Sequence, residues 1–176
     1  MNYPPQIEPL LSGGTGSVSH TEEVPSFLPD RFEPGTPNIP GILGLHAALC
    51  DLEQTDMDKL HQHELELTQY FINGLMQMDP SESTLRAIGK HNTIERTSVV
   101  SVQTLQTDMA RVAYEMDDTY GIMTRVGLHC APSAHKTLGT YPEGTIRFSF
   151  GPENTHHEVD LALHALAEIT GSPYHL

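Results

Sequence analysis

The chain has 176 residues, 38% of them hydrophobic, which suits one compact domain with a core and some appendages. Nine basic side chains against 23 acidic ones give a net charge of -14, which repels phosphate backbones and acidic lipid surfaces and argues against nucleic-acid or membrane binding. No run approaches the ~20 apolar residues of a membrane span, and Met1-Asn2-Tyr3-Pro4-Pro5 lacks the basic and apolar regions of a secretory leader, so the expectation is a soluble, cytoplasmic protein with Cys50 and Cys130 as free thiols.

Residues 1–41 are dense in proline and glycine and hold neither helical nor strand periodicity, so an irregular segment of fixed turns is expected there. A free-standing domain rarely opens with so long a stretch, a hint that other polypeptide normally precedes or surrounds it. From Ile42 the pattern turns helical: Ile42, Leu45, Ala48, Leu49 and Leu52 share a face behind Pro40, and Cys50 beside Leu49 is assigned to the core. Thr55 is expected to cap a second helix in which Leu60, Leu67, Phe71 and Leu75 stay in phase until Asp79-Pro80 stops it. Thr97 to Leu105 alternates as a strand. Thr107-Asp108 opens a third helix, with Val112, Ala113 and Met116 inward and Gly121 closing it.

Ile122–Val126 and Thr145–Phe150 read as two further short strands. Thr155-His156-His157-Glu158 is a capping box that starts a last helix striped by Val159, Leu163, Leu166 and Ile169. Together these elements predict an α+β fold, a small antiparallel sheet with helices on one side, over a domain of residues 42–176.

Four features bear on chemistry. Ser12-Gly13-Gly14-Thr15-Gly16-Ser17 presents backbone amides without a Cβ in the way and suits an anion, or is a plain loop. It matches neither the P-loop nor the dinucleotide fingerprint. Cys130 follows a predicted strand beside His129, near Arg125, His135 and Lys136, a setting that favours a nucleophilic thiolate; a small buried hydrophobe is the alternative. Arg147, alone between Ile146 and Phe148, suits a carboxylate or faces solvent. The eleven histidines show no zinc-like spacing, so no metal site is expected.

The Gly-Gly-Thr-Gly-Ser turn at 13–17, Glu33 to Gly41 (Glu-Pro-Gly-Thr-Pro-Asn-Ile-Pro-Gly), Tyr120 to Thr140 with its Arg-Val-Gly-Leu-His-Cys-Ala-Pro core, and Gly144 to Thr155 follow one another in order. In this the chain resembles, over nearly its whole length, the C-terminal portion of the class V aminotransferase and cysteine desulfurase family. The resemblance implies the small C-terminal domain of a fold-type I enzyme, with 1–41 belonging to the large-domain and dimer-interface region. It implies pyridoxal 5'-phosphate as cofactor and Cys130 as the residue that takes sulfur from cysteine, leaving a persulfide and releasing alanine. It further implies that Arg147 holds the substrate carboxylate, with Arg125 and His129 lining the same pocket. Gly13, Gly14, Thr15 and Thr36 would reach the cofactor phosphate across a dimer.

The family's Schiff-base lysine has no counterpart among Lys59, Lys90 and Lys136. The expected partners are therefore a second copy or a complementing large-domain chain, a small amino-acid substrate and a sulfur-acceptor protein. Two other readings stand beside this one: a non-catalytic interaction module that packs on a large-domain partner, and a zinc-binding or thiol-redox domain.

Overall fold

The computed structural model describes residues 7–18 and 20–173. The opening pentapeptide, and with it the start of the expected irregular segment, lies outside the described residues, as does everything past 173. The backbone forms two compact units, one ending at Thr55 and one beginning at Asp56.

The first unit is loops and turns, a short 3-10 turn at Asp30–Phe32, and helix α1 at Ile39–Gln54. Asn38 starts the helix: its side chain accepts the Gly41 amide at 3.1 Å, and Pro40 follows in the first turn, where its missing N–H costs nothing. None of the residues of α1 is buried, and Ile42, Leu45, Leu49 and Leu52 are all exposed. The expectation that this face and Cys50 enter a core is therefore corrected. A unit of loops and one helix has no second layer against which an apolar stripe can pack.

The second unit holds helices α2 (Met57–Met78), α3 (Met109–Tyr120), α4 (Pro132–Leu138) and α5 (His156–Thr170), and strands β1 (Leu85–Ile88), β2 (Val99–Thr104), β3 (Arg125–Gly127) and β4 (Thr145–Ser149). The strands form one antiparallel sheet in the order β1-β2-β4-β3. Pairing of Val100 with Phe148 and of Val102 with Ile146 places these four side chains on one face, and all are buried. Against them pack Leu67, Phe71 and Leu75 of α2, Val112 and Met116 of α3, and Val159, Leu163 and Leu166 of α5. This is the expected antiparallel sheet with its helices on one side. Phe71 anchors the core, its ring 4.7 Å from Phe148 and 5.3 Å from Phe150.

Local chemistry accounts for most boundaries. Asp56 rather than Thr55 caps α2, because the Thr55 hydroxyl donates back to the Asp51 carbonyl and leaves the next carboxylate to receive the Lys59 amide. Asp108 caps α3, Gly121 ends it at φ 67°, and Thr155 with Glu158 forms the capping box of α5. Because Ile122 N–H donates to Met116 O in closing α3, the chain reaches extended backbone only at Arg125, later than the predicted Ile122. Strand β1 and helix α4 are additions, although Pro132 at the first helical position and Gly139 just past the end are start and stop signals for α4.

Asp79 joins α2 to β1. Its carboxylate accepts the amides of Thr84 and Leu85, at 2.5 and 3.0 Å, and the hydroxyl of Ser81 at 2.8 Å. Burial by itself raises this carboxyl's pKa, but the Leu85 and Thr84 amides and the Ser81 hydroxyl outweigh it and hold the group well below the usual carboxylate range. Below an unfolded value of about 3.9 the unfolded chain binds more protons than the folded one, so this stabilisation is complete above that pH and is lost as pH falls towards the folded value. Asp79→Ala is expected to lose roughly 2–3 kcal/mol at pH 7, since it leaves two amides without acceptors. Urea unfolding at pH 7 and pH 3 checks this: the gap between the two proteins narrows at the lower pH, and an equal gap at both counts against the account.

Candidate functional site

The face of the sheet turned away from the helices is cationic. Ser101 of β2, Arg147 of β4 and Arg125 of β3 lie side by side across three strands, on the opposite side from Val102 and Ile146. Two like charges directly opposite one another are unfavourable unless an anion lies between them. Neither arginine has a carboxylate partner among the described residues, and Arg147 Nε is buried without a hydrogen-bond acceptor. A cleft of about 220 Å³ lined by Met123, Thr124, both arginines and Ser149 opens here. A larger hollow of about 410 Å³ borders it along Met123, Thr124 and Ser149 and runs to Phe150 and Glu158, but it holds no cation. The smaller cleft is the one suited to an acid group.

Strand β3 ends at Gly127, and the chain then turns sharply: His129 and Cys130 take φ of 49° and 59°, two successive non-glycine residues in the left-handed region. Such backbone persists only where neighbours hold it, and it is commonest at functional positions. Cys130 is exposed, which removes the buried-hydrophobe alternative. His129 is half-buried, with Nε2 3.2 Å from Thr145 Oγ1 and its ring 5.8 Å from that of His135. Desolvation, then Arg147, His135 and Arg125, push its pKa down against the hydrogen bond that the ring donates to the Thr145 backbone, so the ring is neutral at pH 7. The second unit thus brings together Arg125, Arg147 and His129 beside the turn carrying Cys130.

The loop residues belong to the first unit. There the Gly35 amide donates to the Gly14 carbonyl at 2.8 Å, and a Cβ on Gly13 would meet Pro34 Cβ at 3.3 Å, so the Gly13-Gly14 turn and the stretch leading to Thr36 are tied together. Thr15 Oγ1 lies 2.8 Å from Ser17 Oγ, and Thr36 is exposed. A side chain at 13 would crowd Pro34 by a few tenths of an ångström, and a turn of this kind presents backbone amides suited to a phosphate.

Residues that would anchor pyridoxal phosphate covalently do not fit. Lys59 is 83% exposed and 3.1 Å from Asp56, Lys90 is paired with Glu95 at 2.7 Å, and Lys136 Nζ sits over the Tyr141 ring at 5.0 Å. None lines the arginine cleft, and none is the desolvated amine that Schiff-base chemistry uses. No cluster of three or more His, Cys, Asp or Glu able to hold a metal occurs among the described residues. Sequence reasoning assigned Thr145, Thr140 and Gly144 no part in the site and placed His135 only as a cation near Cys130; their contacts with one another and with His129 arise in the fold. The one signal available was glycine just before a strand.

Comparison with known proteins bears on the whole of this arrangement. The family model for aminotransferase class-V matches residues 2–162. A probable cysteine desulfurase of Pyrococcus abyssi is 34% identical over 169 residues, covering 94% of this chain and 40% of its own. One of Synechocystis is 35% identical over 165 residues, 91% of this chain and 37% of its own. Among solved structures, the apo cysteine desulfurase of Thermococcus onnurineus superposes with a TM-score of 0.73 at 32% identity, over 93% of this chain and 39% of the other. A cysteine desulfurase of Escherichia coli gives 0.65 at 26% identity, over 92% and 38%. The chain spans about 40% of the length of the relatives it matches. With a matching sheet and helices and an ordered set of motifs, the chain belongs to the aminotransferase class-V family.

Proposed function

We propose that this chain is the sulfur-accepting part of a cysteine desulfurase-like enzyme and acts together with polypeptide that supplies a cofactor lysine. The observation that carries the reading is a pair of arginines, without carboxylate partners among the described residues, that line one cleft at the strand leading into the left-handed turn of an exposed cysteine. Enzymes of this family use pyridoxal phosphate, which supplies an electron sink when bound. In this chain Arg147 grips the substrate carboxylate with Arg125 beside it, the neutral ring of His129 lines the pocket, and Gly13, Gly14, Thr15 and Thr36 offer the phosphate-facing loops.

The overall transfer balances without an outside oxidant. The Cβ–S bond of cysteine breaks and an S–S bond forms to Cys130 Sγ. The substrate carbon keeps the bonding electrons and gains a proton, becoming the methyl group of alanine, while the two sulfurs reach the persulfide level.

The exposed apolar residues of α1 support a partner, either a second copy or a separate large-domain chain, since an unpacked stripe of this kind marks an interaction surface. The same feature favours the second reading, a module that assembles without catalysing. The two are separated by mixing the chain with a large-domain polypeptide that carries the lysine, adding pyridoxal phosphate and cysteine, and following alanine release together with the mass of the Cys130 peptide. The expected result is alanine and one added sulfur atom on Cys130 in the mixture, and neither with the chain alone. Turnover by the chain alone would show that the lysine is not missing, and assembly without turnover would favour the module.

A further inference from the structure

We propose that His135 and Thr140 are positioning residues, a buried brace that fixes the direction of the His129 ring and with it the turn presenting Cys130. The proposal rests on the sulfur-accepting role given to Cys130. Both side chains are polar yet only 6% and 1% exposed, and an apolar pair would fill the space without the cost of burying polar groups. They are joined by a 2.7 Å contact between His135 Nδ1 and Thr140 Oγ1.

What brings them together is the end of α4. Gly139 takes φ of 70° and returns the chain, so that Thr140 N–H donates to His135 O at 2.9 Å. The Thr140 carbonyl then receives the Gly144 amide at 2.7 Å, which leads directly into Thr145, and the Thr145 hydroxyl lies 3.2 Å from His129 Nε2. The circuit closes through the rings of His129 and His135, 5.8 Å apart and tilted by 46°. His129 thereby has two neighbours in the circuit, Thr145 on the sheet and His135 on α4.

The test uses the full chain and does not depend on sulfur transfer. Alkylation of Cys130 by iodoacetamide is followed by peptide mass spectrometry, which separates it from Cys50, and the His129 ring signals are read by NMR. Thr140→Val keeps the shape and removes the hydroxyl, and is expected to move the His129 signals and change the Cys130 alkylation rate by about fivefold, the effect of one ordinary hydrogen bond. Thr140→Ser is expected to restore both. Parent-like rate and signals in the valine variant would overturn the brace.

Should Thr140→Val not fold, the unsubstituted chain decides: a single His129 ring orientation with contacts to both His135 and Thr145 supports the proposal, and averaging over several orientations refutes it. Failure of these measurements with persulfide still forming on Cys130 removes only the brace. Success with no persulfide removes only the desulfurase reading.

Discussion

Cys130→Ala, in the chain complemented by a large-domain partner, is expected to reduce persulfide formation and sulfide release to background while the fold and the arginine cleft survive. The thiol is exposed and its side chain supports no packing, so removing it takes away chemistry and little else. Stability should respond in a way that identifies the backbone. At φ 59° a side chain is strained and glycine is not, so Cys130→Gly is expected to be about 1 kcal/mol more stable than Cys130→Ala, and equally inert. Thermal unfolding of the two variants measures the first difference, and alanine and persulfide assays measure the second. Unchanged sulfur transfer in either variant would remove Cys130 from the mechanism. Equal stability of the two would mean that the turn relaxes once the cysteine is gone.

Gly144→Ala is expected to be the most damaging single change near the site. Gly144 has φ of 82°, and a Cβ there would lie 2.2 Å from Gly127 O and 2.3 Å from Gly127 C. The obstacle is backbone, the last residue of β3, so no side-chain rotation relieves it. The Gly144 carbonyl is also held by Gln103 Nε2 at 3.3 Å, and Gln103 receives the Arg86 guanidinium, so retreat from the other side is blocked. Overlap adds to left-handed strain, and together they are expected to cost about 3 kcal/mol or more.

Gly139→Ala is the control. It has a similar φ of 70° but no atom within 4 Å of the added carbon, and is expected to cost only about 1 kcal/mol. The gap between the two in urea unfolding isolates the overlap. Because Gly127 leads into the Cys130 turn, Gly144→Ala should also alter Cys130 alkylation under conditions where the variant remains folded. Equal losses from the two substitutions would show that β3 yields easily.

Much of the fold is legible in the residues because it rests on local rules. The stop at Asp79, the cap at Asp108, the left-handed glycine at 121 and the capping box at Thr155 each involve groups within a few positions of one another, and each forms where expected. Strand β1 escaped because Leu85–Ile88 is four residues long and contains Arg86, whose outward place is set by pairing with Gln103 across the hairpin. The apolar stripe of α1 was read correctly as apolar and wrongly as buried, since periodicity shows that a face seeks a partner and not that its own unit provides one.

For the site, the sequence alone determined its chemical inventory: a cysteine next to a histidine, arginines within two short predicted strands, glycine-rich loops and only three lysines. Those are properties of residue type and order, which survive without coordinates. Only the tertiary structure decided that Arg125 stands directly opposite Arg147, that Thr145 and His135 flank His129, and that Gly144 presses on Gly127. Each of these contacts joins residues whose separation along the chain carries no pattern, and antiparallel register together with a glycine-permitted turn is what brings them within reach.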